Sequence, residues 1–126
     1  MSTENLILED FGRAIGRLGE VLSLAKNDVI RDSAIQRFEI CFELAWKAVK
    51  HLAKKEGKEC HSPKACFRLA FQFGWIEHDE KWLEMVDDRN LTAHVYKEEY
   101  AEKIYSHLAS YLILFRSLLG NLKGKS

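Results

Sequence analysis

The chain has 126 residues, 47% of them hydrophobic and 30% charged, with 19 basic and 19 acidic side chains. That length fits one domain with its own core, and the composition excludes a disordered or collagen-like chain. A formal net charge of zero excludes a protein that blankets nucleic acid with positive charge, although it leaves room for a local basic pocket and little protection against self-association.

Strand-type alternation is absent, and Pro63 is the only proline. In the first segment Ile7, Phe11, Ala14, Ile15, Leu18, Leu22 and Ala25 step by threes and fours, which predicts a helix from about Thr3 to Ala25. Gly12, Gly16 and Gly19 weaken it or admit another helix closely. Asn27-Asp28 is a break. A second helix follows from Asp28 or Asp32 to Lys55, with the stripe Ile35, Phe38, Phe42, Ala45, Val49 and Leu52. Beside it runs a second apolar row, Cys41, Leu44 and Ala48, so this helix is central in its bundle or faces another subunit. Glu39, Glu43, Lys47 and Lys50 complete the surface at spacings that permit ion pairs.

Gly57 to His61 reads as a loop, and Ser62-Pro63 as a helix start with a capping hydroxyl and proline at the first position. The third helix is short, reaching about Phe73, with Gly74 as its stop. Trp75 and Trp82 flank a short loop and read as packing residues. His78-Asp79 precede a fourth helix carrying Trp82, Leu83, Met85 and Val86. The last helix begins near Glu98, two acids in its first turn, with the stripe Ala101, Ile104, Leu108, Tyr111, Phe115, Leu118 and Leu122. The tail from Lys123 to Ser126 is expected to fray. Residues 1–126 are therefore expected to form a single all-α domain of three long and two shorter helices, whose short loops make neighbours antiparallel in an up-and-down bundle.

The N-terminus has no basic-then-apolar leader, and the apolar run from Tyr111 to Phe115 stops at Arg116, so no membrane association and a cytoplasmic location are expected. The odd count of cysteines, Cys41, Cys60 and Cys66, points to a reducing compartment. Cys41 reads as core. Cys60 and Cys66, with His61 between them, match no standard zinc spacing, so neither a metal nor another cofactor is expected.

Polar function concentrates in Arg89-Asn90-Leu91-Thr92-Ala93-His94-Val95-Tyr96. On one continuous helix Arg89 and His94 would point about 140° apart, so they converge only where the helix ends or distorts, which Asn90 and Thr92 can promote through local side-chain bonds. Histidine titrates near neutrality and can take a proton from a ribose 2′-hydroxyl or protonate a leaving oxygen. Arginine presents a planar cationic fork to phosphate and stabilises charge building there. Asn90 can hold the phosphate or orient the histidine. The structural alternative is an Arg89 paired with an acid, a His94 that caps a helix and a buried, hydrogen-bonded Tyr96. Glu39, Glu43, Trp46 and Lys47 either line the cleft, touch a partner or form a solvated ion-paired face. His51, His61, His78 and His107 read as surface or capping residues, and Phe67, Phe71 and Tyr105 as core or as a dimer surface.

The run from Arg89 to Tyr96 resembles the R-x4-H-x-Y motif of HEPN-domain proteins, specifically the HepT-like toxins, a family also described as substrate-binding subunits of two-component minimal nucleotidyltransferases. Arg37 to Lys47 resembles that family's second helix, and Asp87-Asp88 and Glu98-Glu99 fit as well. The resemblance implies an all-α, antiparallel up-and-down HEPN four-helix bundle with an additional short helix, similar to the helical domain of kanamycin nucleotidyltransferase. It implies a homodimer with its two motifs facing each other, with hetero-oligomers also open, and a metal-independent ribonuclease site of Arg89 and His94 aided by Asn90. It implies an RNA substrate and a minimal nucleotidyltransferase antitoxin that transfers AMP to Tyr96. The alternative within the same family is a non-catalytic substrate-binding subunit; this chain carries no Gly-Ser followed by paired aspartates of its own.

Overall fold

A computed structural model describes residues 3–77 and 79–124; His78 and, in the tail, Lys125 and Ser126 lie outside the described residues. Five helices follow in order: α1 (Thr3–Leu22), α2 (Asp28–Lys55), α3 (Pro63–Gln72), α4 (Asp79–Leu91) and α5 (Glu98–Lys123), with a 3-10 turn, Thr92–His94, between α4 and α5. Among the described residues there is no strand, and no helix is long and apolar enough to cross a membrane.

The ends follow from local chemistry. The Asn27 side chain accepts from the Ile30 N–H at 2.8 Å and starts α2. The Ser62 hydroxyl accepts from the Ala65 N–H at 3.2 Å and starts α3, with Pro63 at its first position. Gly74, with φ of +77°, follows the C-cap Phe73 in the left-handed region that closes α3. Helix α1 stops at Leu22 rather than Ala25. Ser23 bonds back to the Gly19 and Glu20 carbonyls, and the residues up to the Asn27 cap are needed to reverse the chain.

Side-chain contacts set the directions. Gly12 of α1 sits against Leu119 of α5, and Gly19 against Arg116 and Leu112, so the two helices run antiparallel. A Cβ at Gly19 would come within 2.9 Å of the Arg116 guanidinium, so here the glycine admits a close helix approach, whereas Gly16 faces open space. Helix α2 runs parallel to α5: Arg31 reaches Glu98 and Glu102, while Phe38 stacks on Tyr111 and touches Phe115. Helix α4 runs antiparallel to α5, with Trp82 against Phe115 and Asp88 against His107 and Tyr111. This is the expected up-and-down bundle, with α3 as the short extra helix.

The predicted stripes of α2 and α5 are buried throughout, as are Trp75 and Trp82. In α1 the buried face is slightly rotated: Leu8 and Val21 are buried, Leu22 only partly, and Ala25 is exposed beyond the helix end. Phe67 is core and Phe71 is exposed. Burial pushes the Cys41 thiol up to about 12, so it is inert at neutral pH. Cys60 and Cys66, read from the sequence as cysteines of a reducing compartment, are joined in a disulfide with Cα atoms 5.1 Å apart. The turn that carries the Ser62 cap folds Cys60 back onto the first turn of α3, where Cys66 faces inward.

Two buried polar groups stitch the helices together. Arg31, 4% exposed, donates to Asp32, Glu98 and Glu102 and so ties the start of α5 to the start of α2. Asp88, 3% exposed, accepts from the Tyr111 hydroxyl at 2.5 Å and contacts His107 Nδ1 at 2.7 Å. Burial, then the adjacent carboxylate, holds the Tyr111 phenol well above its usual range. Tyr111→Phe removes one of the donors to a buried carboxylate and is expected to destabilise the fold by about 1–3 kcal/mol, read as a lower urea midpoint at unchanged slope.

Candidate active site

The site is built where α4 gives way to the 3-10 turn. Asp88 continues the inward face of Trp82 and Met85 and is gripped by α5. One residue later, a rotation of about 100° carries Arg89 to α2. Its Nη1 donates to the Thr92 hydroxyl at 2.9 Å, and that hydroxyl donates back to the Arg89 carbonyl at 2.6 Å. Such a back-bond competes with the α-helical ladder, and the tighter 3-10 turn begins at Thr92. The distortion anticipated between Arg89 and His94 is therefore present and belongs to Thr92. Asn90 is exposed and makes no side-chain hydrogen bond among the described residues.

Two carboxylates of α2 converge on the guanidinium. Glu39 Oε2 lies 3.5 Å from Arg89 Nη1, and Glu43 Oε1 lies 3.8 Å from Nε. The Nε atom is buried and has no hydrogen-bond partner. Glu43 is held on its other side by the Trp46 indole N–H at 3.1 Å and by Lys47 Nζ at 4.0 Å. All four α2 residues singled out in the sequence thus meet Arg89 directly or through Glu43. Gln36, Glu39, Ile40, Glu43, Leu44 and Arg89 line an open depression of about 470 Å³. Within the second apolar row of α2, Cys41 and Ala48 are core and Leu44 reaches this surface.

His94, the last residue of the 3-10 turn, and Tyr96, two residues on, form a second cluster. The Tyr96 hydroxyl is 3.5 Å from His94 Nδ1, and the rings meet edge to face at 5.9 Å between centroids. Tyr96 is 76% exposed, which removes the buried-anchor alternative. His94 is exposed as well. Among the described residues no hydrogen bond joins Arg89 to His94.

Sequence reasoning missed two groups. Arg31 carries no signal that marks it as buried, because an arginine in a first helical turn is ordinarily solvated. His107, read as a surface residue, instead faces the buried Asp88. The signal was available: Asp88 continues the Trp82–Met85 face, and His107 and Tyr111 lie one turn apart on α5. Donor atoms of Glu84, Asp88 and His107 lie within 4.8 Å of one another. The Asp88 oxygen there is already engaged by Tyr111 and His107, which accounts for the cluster through its own hydrogen bonds.

Comparison with known proteins gives the family and the fold. Residues 6–124 match the family described as nucleotidyltransferase substrate binding protein like. The chain is 31% identical over 104 residues to the Haemophilus influenzae protein named probable ribonuclease HepT, covering 79% of this chain and 71% of the relative. A crystal structure of a Thermus thermophilus protein superposes with a TM-score of 0.85 at 41% identity, covering 90% of this chain and 98% of that one. The tri-AMPylated Shewanella oneidensis HEPN toxin, solved in complex with an MNT antitoxin, shares the fold with a TM-score of 0.80 at 20% identity, over 98% and 99% of the two chains. A bundle of this topology, with a family match over nearly its whole length, belongs to the nucleotidyltransferase substrate-binding-protein-like family and is HepT-like.

Proposed function

We propose that the protein is a ribonuclease toxin neutralised by a minimal nucleotidyltransferase partner. The observation that carries this reading is the α4–α5 corner: a partly exposed guanidinium at its start, an exposed imidazole at the end of the 3-10 turn and an exposed phenol two residues on. The relative named probable ribonuclease HepT supports it at the level of the chemistry. The AMPylated HEPN toxin, which shares the fold, supports the partner.

In this reading the substrate is RNA and the 2′-hydroxyl is the nucleophile. His94 takes its proton as the oxygen attacks phosphorus. The bond to the 5′-oxygen breaks, that oxygen acquires a proton, and the products are a 2′,3′-cyclic phosphate and a 5′-hydroxyl end. Arg89 neutralises the charge gathering on the phosphoryl oxygens, and Asn90 supplies a further donor from α4. No step calls for a metal ion. Among the described residues no hydrogen bond joins Arg89 to His94 within one chain, and in this reading the site is completed in a homodimer, where the fork of one copy faces the imidazole of the other. Exposed Ile40 and half-buried Leu44, beside Arg89 on α2, supply apolar surface for that contact. Tyr96 receives AMP from the partner; the added phosphate sits beside Arg89 and excludes the RNA phosphate by charge and bulk.

The second reading, favoured by the family's description and by the carboxylates already occupying Arg89, is a non-catalytic subunit that presents a substrate to the nucleotidyltransferase.

Three outcomes are expected. His94→Ala and Arg89→Ala each lower cleavage of a single-stranded RNA by about 10²–10⁴-fold, measured on purified protein, and the matching DNA is not cut. Equal rates for wild type and His94→Ala would remove the nuclease reading in favour of the second. Mixing the Arg89→Ala and His94→Ala proteins under exchanging conditions restores part of the activity if each site draws on two copies, and none if a site lies within one chain. Incubation with the partner and ATP adds the mass of AMP to the wild type and not to Tyr96→Phe, as read by intact-protein mass spectrometry.

A further inference from the structure

The guanidinium that would grip phosphate is already occupied. Two acids of α2 face Arg89, and neither is at the roughly 2.7–2.9 Å typical of a charge-assisted hydrogen bond: Glu39 stands at 3.5 Å and Glu43 at 3.8 Å. The firm bond of Arg89 is from Nη1 to the Thr92 hydroxyl at 2.9 Å, while Glu39 faces that same nitrogen and Glu43 faces Nε at longer range. Arg89 Nε is fully covered, makes no hydrogen bond, and has Glu43 as its nearest carboxylate. A buried donor without an acceptor is unfavourable, and it gains most from an oxygen that arrives closer. Two carboxylates thus face one guanidinium, and an approaching phosphodiester must compete with both for it.

The acids have somewhere to go. Glu43 also accepts from the Trp46 indole at 3.1 Å and lies 4.0 Å from Lys47 Nζ. When Arg89 turns to another anion, that carboxylate keeps a donor and a cation. Glu39 is one-third exposed and passes to water. Exchange of partners at Arg89 therefore leaves no charge stranded in an apolar setting.

We propose that Glu39 and Glu43 are an anionic latch on Arg89, an internal competitor that the RNA phosphate must displace and that sets the site's affinity for RNA. The proposal rests on the nuclease reading above and adds a regulatory role for two residues of α2. A latch and a scaffold give opposite signs. If the carboxylates merely hold the arginine in a productive pose, removing their charge weakens binding; if they compete with phosphate, removing it tightens binding.

The test uses the full chain in a His94→Ala background, so that bound RNA is not cut. Binding of a fluorescently labelled single-stranded RNA is followed by anisotropy at fixed low salt. Glu43→Gln and Glu39→Gln are each expected to tighten binding about three- to tenfold, the range for loosening a partly exposed ion pair. The gain should vanish when Arg89→Ala is added, which separates a latch on this arginine from a general gain in positive charge. Because both acids are partly exposed, their amides are expected to fold, and thermal melts of each variant check that. Unchanged or weaker binding by the glutamine variants, while Arg89→Ala still loses affinity, overturns the latch and leaves the nuclease reading standing. A gain that persists without Arg89 also overturns it. Absence of RNA binding by every variant, His94→Ala alone included, overturns both readings together.

Discussion

The geometry of the candidate site depends on one buried carboxylate. Asp88 sits in the core between α4 and α5 and is held by the Tyr111 hydroxyl and the His107 ring. An apolar side chain at that position could rotate or slide with little change in energy. A carboxylate cannot, because leaving its donors in a low-dielectric interior would cost several kcal/mol. The rotation of α4 about its own axis is thus fixed at the residue before Arg89, and Arg89 is presented to α2 as a geometrical consequence. Thr92 then ends the regular helix by bonding back to the Arg89 carbonyl, which sets where His94 and Tyr96 emerge.

A chain of zero net charge can still build a strongly polarised corner, because its charges are placed rather than abundant. Arg31 is surrounded by Asp28, Asp32, Glu98 and Glu102, and the hydrogen bonds to Glu98 and Glu102 above all draw its proton affinity well above the ordinary value for arginine. Arg89 meets only two acids at longer range, with part of its surface open. The first arrangement is a permanent fastening; the second is a reversible contact. Both use the same residue types, and distance and burial separate them.

Much of this is legible from residue spacing. The stripes on α2 and α5 are uninterrupted, and period and burial agree at every position named. The caps at Asn27 and Ser62 act through side-chain oxygens whose effect is local, so sequence alone places them well. Spacing carries α1 past its true end, because Leu22 and Ala25 continue the apolar period while the chain must already turn. The contacts Asp88–His107, Arg31–Glu98 and Arg89–Glu39 join residues far apart in the chain, and no local pattern announces which charges will meet across a bundle. The spacing of Cys60 and Cys66 is uninformative as a metal pattern, and their pairing depends on the turn that folds one onto the other. The motif residues stand out as a group, but the 3-10 turn that begins at Thr92, between Arg89 and His94, follows from backbone geometry that composition does not encode.

The Arg31 fastening has an effect on its far side. It anchors Glu98, while Thr92 is pinned below the turn, so Tyr96 belongs to a short leash with both ends nailed down. Four residues reach at most about 14 Å, which bounds how far the Tyr96 backbone strays from Thr92. Any group covalently hung on that phenol is retained beside the corner as though present in solution at millimolar strength or more. Such a tethered anion need bind only feebly, by the standards of a free nucleotide, to remain in place.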